Sequence, residues 1–230
     1  MTIVSTSEHG DGARARTPLS PRQMVFGGLS IQYDARVLEP REWTTRQSFW
    51  AAELLAEAPA GPVLELCAGV GHIGLLTLTL RDRAGVLVDA DAGACAHARV
   101  NLQRARLGDR VEVRNARAEQ ALADGERFAL AIVDPPWVPS TEVGRFPADP
   151  TFAIDGGGDG LDVARSCLEA LVGHLLPDAP VVLQLGTPEQ VTRLLAQVGE
   201  GWRLVEQRQH EDRGVLAHLV LDTNDSAAGR

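Results

Sequence analysis

Two periods alternate along this chain. Short apolar runs, the mark of buried strands, punctuate stretches where apolar residues recur every three or four positions, the mark of helices. Met24–Val37 carries Phe26, Leu29, Ile31, Tyr33 and Val37 around Gly27-Gly28 and predicts a short hairpin. Thr44 or Thr45 is placed to cap a helix over residues 46–58, which Pro59-Ala60-Gly61-Pro62 ends. Strands are then predicted at Val63–Leu66, Gly85–Val88, Val111–Val113, Phe128–Val133 and Pro180–Leu185. Helices are predicted near Ile73–Leu80, Ala92–Ala105, Glu119–Leu122, Leu161–Leu176 and Pro188–Val198. Arg203–Gln209 and Gly214–Asp222, joined by His210–Arg213, predict a final antiparallel pair. The expectation is an α/β fold: a mostly parallel seven-stranded sheet, helices on both faces, a C-terminal antiparallel hairpin, and a short N-terminal hairpin and helix.

Composition narrows this picture. With 230 residues, 44% of them hydrophobic and 23% charged, the chain suits one soluble α/β domain with short appendages. Residues 1–22 are polar and aperiodic and predict a flexible tail, as do residues 223–230. Net charge is −9, and all 22 basic residues are Arg, so no lysine can serve as base or Schiff-base nucleophile. An acidic chain without a basic run does not favour nucleic acid as a partner. Cys67, Cys95 and Cys167 are widely spaced, without metal-ligand or disulfide spacing. They predict reduced thiols in a cytoplasmic protein that needs no metal. No signal peptide or membrane span is expected, and the expected state is a monomer or weak homodimer.

Two segments carry candidate chemistry. Asp134-Pro135-Pro136-Trp137 follows an apolar run at a predicted strand end. Proline lacks an N–H, so neighbouring carbonyls are left free to accept hydrogen bonds from a ligand. Asp134 adds carboxylate acceptors and Trp137 a flat face. Such a platform suits an N–H group on something planar. The second segment, Val63 to Gly74, is a strand, a glycine-rich turn and a helix start, where unpaired N–H groups and positive potential meet a ligand. Asp89 follows the next strand, where an acid accepts hydrogen bonds from ribose hydroxyls. Gly69-Val70-Gly71-His72-Ile73-Gly74 also fits the G-x-G-x-x-G pattern of dinucleotide sites, so an NAD-dependent oxidoreductase stays open. Glu65 argues against it: an anion there faces a pyrophosphate poorly and an ammonium well.

Taken together, these residues resemble class I S-adenosylmethionine-dependent methyltransferases, on a Rossmann-like sheet. Glu65-Leu66-Cys67-Ala68-Gly69-Val70-Gly71 is similar to their first motif. Val88-Asp89-Ala90-Asp91, with Asn101, is similar to their second. Asp134-Pro135-Pro136-Trp137 resembles the [DNS]-P-P-[YFW] signature of enzymes that methylate planar or amide nitrogen. Asp155-Gly156-Gly157-Gly158-Asp159-Gly160-Leu161-Asp162 and Pro40-Arg41 with Thr44 resemble segments of HemK-type protein-glutamine methyltransferases. Those enzymes have Asn and Tyr where this chain has Asp134 and Trp137. They also have an N-terminal docking domain, for which the residues before Val63 are too few.

The resemblance implies an S-adenosylmethionine cofactor held by Glu65, Cys67, Ala68, Gly69, Gly71, Asp89, Ala90, Glu119 and Asp134. It implies catalysis by Asp134, Pro135, Pro136 and Trp137, with Arg41, Thr44 and Trp137 toward the substrate. The expected acceptor is a small molecule or a peptide or protein amide; an RNA or DNA base is the alternative, and an inert S-adenosylmethionine-binding module a further one. Residues 23–61 are expected to cap the active site of a domain spanning 62–222. Pro139–Pro150 is expected to be a mobile cover over the substrate. Asp159 or Asp162 is expected to cap the helix that follows, while 155–162 shapes the site wall. His72 is read as positional, and Trp43, Phe49 and Trp50 as packing.

Overall fold

The computed structural model describes residues 20–211 and 213–222; apart from residues 20–22, the two predicted tails lie outside them. Among the described residues nine strands and six α-helices are formed. Strand β1 (Arg22–Phe26) pairs antiparallel with β2 (Leu29–Tyr33) across the Gly27-Gly28 turn, where both glycines take positive φ. Arg22 thus belongs to a strand and not to a tail. Helix α1 (Thr45–Leu54) follows a 3₁₀ turn at Glu42–Thr44. It is not capped by a threonine side chain: Thr44 Oγ1 donates to the Arg41 carbonyl and Thr45 Oγ1 to that of Glu42.

Five parallel strands come next: β3 (Val63–Leu66), β4 (Gly85–Asp89), β5 (Val111–Asn115), β6 (Leu130–Val133) and β7 (Val181–Leu185). Between them lie α2 (His72–Leu80), α3 (Ala92–Arg104), α4 (Thr151–Ile154) and α5 (Asp162–Leu171). Helix α6 (Pro188–Gln197) leads to β8 (Trp202–Gln209) and β9 (Val215–Leu221). The order β5-β4-β3-β6-β7-β9-β8 is the seven-stranded sheet expected from the pattern, with its antiparallel C-terminal hairpin. Apolar side chains on its two faces form two core clusters. One gathers α5 and α6 against the sheet; the other gathers α1, α2, α3 and the N-terminal hairpin.

Several boundaries shift for local reasons. The predicted strand from Phe128 begins at Leu130, because Phe128 bridges Leu175 at the bottom of the sheet. The predicted helix 161–176 stops at Leu171, where Val172 turns extended ahead of Gly173 at φ +80°. Neither Asp159 nor Asp162 caps α5 in the usual way; Asp159 accepts from Leu161 N and Asp162 from Gly158 N, folding the glycine loop on itself. Helix 119–122 is a single 3₁₀ turn at Ala118–Gln120.

The chain runs outward from β3 to β5, then jumps back to β6 on the other side of β3. The crevice at the carboxyl ends of β3 and β6 is therefore a topological switch point, the place where open α/β sheets bind ligands.

Candidate functional site

A cavity of about 970 Å³ opens over this switch point, a volume at the upper end for small-ligand sites. Its floor is built by the turns leaving β3, β4 and β6. After β3 the backbone passes through Cys67 and Gly69, both in the left-handed region at φ +58° and +53°, and Gly71 at +79°. A side chain is tolerated there at a cost at Cys67, whereas a Cβ added at Gly69 meets no atom within 4 Å, so the glycine leaves open space at the cavity wall. Gly71 is the N-cap of α2 and sits against Leu87 and Ala98, off the cavity.

Asp89, at the end of β4, holds the glycine turn in place. Its Oδ2 accepts from Gly69 N at 2.7 Å and its Oδ1 from Asp91 N at 2.8 Å. Burial pushes its pKa up, only partly offset by those two N–H donors. Each oxygen retains a further lone pair, and Asp89 lines the cavity. Asn101 of α3 secures the turn from behind: its Nδ2 donates to Val70 O and Gln32 O, and its Oδ1 accepts from Gln32 N. The hairpin thus docks beside α3, and the part of residues 23–61 that walls the cavity is 37–44.

Asp134 lies at the end of β6, one residue beyond the ladder. Removal from water pushes its carboxyl up to about 7, and among the described residues no cation pairs with it. Among the described residues the Pro135 carbonyl accepts no hydrogen bond. The rest of the platform is clamped from the 155–162 loop and from α6. Val138 N donates to Ile154 O, and Gly156 N to Val138 O. A Cβ at Gly156 would meet Pro136 O at 2.7 Å, and one at Gly160 would meet Trp137 O at 2.5 Å, so both glycines are required by close backbone approach. Gln190 Nε2 donates to Trp137 O at 2.8 Å, while its Oε1 accepts from Gly186 N and Thr187 N. The Trp137 ring lies against Gly186, where an added Cβ would come within 2.5 Å of it.

Of the residues singled out in the sequence, Cys67, Ala68, Gly69, Asp89, Ala90, Glu119, Asp134, Pro135, Pro136, Trp137, Arg41 and Thr44 all line this one cavity. Glu65 and Gly71 do not. Glu65 is fully buried on β3, and burial holds its carboxyl far toward the neutral form. Its Oε2 lies where a Cβ at Gly74 would sit, so the third glycine of the turn is a packing glycine for this acid. The expectation that Glu65 faces an ammonium is corrected by that placement. His72 lines the cavity as a neutral ring, its pKa lowered to about 3 by burial, edge-on to Phe26 at 4.8 Å. Trp43, read as packing, also lines the wall.

The segment after the platform is held at two points. Arg41 pairs with Asp149 at 2.6 Å, and Ser140 Oγ donates to Asp155 at 2.6 Å. The structure adds a 3₁₀ turn at Val143–Arg145 and places Phe146 and Phe152, both substantially exposed, at the mouth. Gln184, Gln190 and the Cys67–Cys167 approach, with sulfurs 3.7 Å apart, were not found from sequence. No local pattern marks them, because each pairs strands or loops about 50 to 100 residues apart.

The glycine turn after β3, the acid after β4 and the Asp-Pro-Pro-Trp platform after β6, on this sheet order, are the layout of a class I methyltransferase. Residues 48–148 match the family described as methyltransferase small domain. It is 32% identical over 217 residues to the ribosomal protein uL3 glutamine methyltransferase of Bradyrhizobium diazoefficiens, covering 89% of this chain and 62% of that one. It is 28% identical over 204 residues to the release factor glutamine methyltransferase of Clostridium acetobutylicum, covering 84% and 71%. The chain therefore spans about two thirds of the length of these relatives. Among solved structures it resembles the putative methyltransferase yhhF from Escherichia coli, with TM-score 0.61, 18% identity and coverage of 88% and 100%. It also resembles human methyltransferase 10 domain containing protein, with TM-score 0.60, 14% identity and coverage of 86% and 90%. These two likenesses are of fold. Among the described residues no helix is long and apolar enough to cross a membrane.

Proposed function

We propose that this protein methylates a planar, amide-type nitrogen of a peptide or protein, using S-adenosylmethionine. One observation carries the reading: an acid without a cationic partner and a free proline carbonyl at the floor of a cavity whose other wall is the glycine turn and Asp89. The fit to the cofactor rests on the open space at Gly69, the spare lone pairs of Asp89 for ribose hydroxyls, and the start of α2. Ala90 and Glu119 line the same cavity. When bound, S-adenosylmethionine supplies a methyl group on a positively charged sulfur, ready for in-line displacement.

The chain's own residues then have to aim a nitrogen. Asp134 and the Pro135 carbonyl accept the N–H bonds of the acceptor and so fix where its lone pair points. As positive charge develops on nitrogen, the Asp134 carboxylate stabilises it and takes the proton that leaves. An acid with a pKa near 7 is suited to that transfer, being ionised about half the time at neutral pH. Trp137, held flat against Gly186, stacks on the acceptor plane. The cavity wall carries seven carboxyl side chains against three guanidinium groups, which favours an uncharged acceptor over a polyphosphate.

The test uses labelled S-adenosylmethionine with fractionated host extract, alongside Asp134→Ala. Cofactor binding retained with turnover lost is the expected result. Full turnover in the variant would remove Asp134 from the mechanism. No binding of S-adenosylhomocysteine by the wild type, read by calorimetry, would end the proposal.

A further inference from the structure

Gln184 is a buried side chain with nothing to do inside the protein. It lies on β7, only 3% exposed, and its Oε1 is fully buried without a hydrogen-bond donor. Its Nε2 is not among the buried unpartnered atoms and has no acceptor among the described residues, so it reaches the surface that Gln184 gives to the cavity. Leaving a buried amide unpaired is unfavourable, and native proteins seldom do so without a use for it.

Its position relates it to the platform. Val133 and Leu183 are register partners on adjacent parallel strands, and Asp134 and Gln184 each follow by one residue. Neighbouring strands lie about 5 Å apart. Strand alternation puts Gln184 on the face of Val182, beneath α1. On that face Gln47 already donates to both Val133 O and Val182 O, closing the sheet surface next to it. What remains open is the cavity beside Asp134, where Trp43, Thr44 and Arg213 complete the wall.

We infer that Gln184 binds the methyl acceptor, its Nε2 donating a hydrogen bond to the carbonyl oxygen of a substrate carboxamide whose N–H bonds are accepted by Asp134 and the Pro135 carbonyl. This rests on the amide-nitrogen reading above and adds the second point of contact. Two acceptors and one donor, arranged around one plane, read a primary carboxamide at both ends. A substrate amine without the carbonyl leaves Nε2 unpaired. The amide of Gln184 also makes a prediction about charge: Glu at this position would accept instead of donate, and would favour an amidinium, which has donors at both ends.

The experiment uses the protein saturated with S-adenosylhomocysteine and three small probes: N-acetylglutamine amide, benzamidine and adenosine. Binding is read by saturation-transfer NMR with competition titration. The wild type is expected to prefer the carboxamide. Gln184→Leu should weaken it roughly tenfold or more, the size of one lost hydrogen bond in a desolvated site, with S-adenosylhomocysteine affinity unchanged. Gln184→Glu should reverse the preference toward benzamidine, an effect that mere loss of packing does not produce. Equal carboxamide binding by wild type and Gln184→Leu would overturn the inference, and so would a wild type that binds the cofactor product yet prefers adenosine or ignores the carboxamide. A wild type that does not bind S-adenosylhomocysteine would instead sink the methyltransferase reading itself, so the two failures are distinct.

Discussion

Replacing Asp134 by Asn removes the ionisable group while keeping shape, and its consequence for stability can be worked out from its surroundings. Burial raises the carboxyl from its ordinary 3.8 to about 7 in the folded protein. Between those two values the folded state holds a proton that the unfolded state has lost. Stability therefore falls as pH rises from about 4, and the loss is complete above about 7. Each unit between the two values is worth about 1.4 kcal/mol, so the ionised carboxyl costs the folded protein at most about 4 kcal/mol at pH 8.5. Water at the cavity face reduces this. Asp134→Asn should match the wild type at pH 4 and exceed it by about 2–4 kcal/mol at pH 8.5. In a chain of this size that is a gain in Tm of roughly 4–16 °C. The assay is urea unfolding of both proteins, without cofactor, across that pH range. Glu65 and Asp89 are also raised by burial, but they are present in both proteins and largely cancel. A difference that stays flat with pH, or a wild type more stable at pH 8.5, would refute the reasoning.

Other substitutions test the supports of the site. Gly74→Ala forces a methyl into the Glu65 carboxyl oxygen and should cost about 1–3 kcal/mol in denaturant unfolding. Asn101→Ala strands the Gln32 and Val70 groups it bonds and should cost about 2–4 kcal/mol, seen as a lower urea midpoint. Gly160→Ala combines positive φ with a clash at Trp137 O; it should lower turnover more than S-adenosylhomocysteine affinity, compared by kinetics and calorimetry. In wild type the turnover rate should rise with pH through about 7, as Asp134 becomes the carboxylate that accepts the N–H and the proton. A pH–rate profile without a group in that region would count against it.

The layers of the fold and the segments that carry its chemistry were legible in the pattern of residues. Alternation of short apolar runs with helical periodicity set seven strands and their crossovers, because burial on both sheet faces demands unbroken apolar strands. The glycine turn, Asp89 and Asp-Pro-Pro-Trp were legible because each is a contiguous segment whose residue types serve local backbone geometry. Convergence of those segments on one cavity follows from strand order, which no single segment encodes. Tertiary structure alone decided the rest. Glu65 reads as a cofactor-facing acid in the strand, yet helix α2 packs over it and the third glycine makes room for its oxygen. Gln190 closes a capping box with Thr187 at the start of α6 in the folded chain, and only the fold brings it 2.8 Å from the Trp137 carbonyl. Gln184 is one polar residue in an apolar strand. Its neighbour across the sheet, fifty positions earlier in the chain, makes it part of a site, because proximity there is set by pairing β6 with β7.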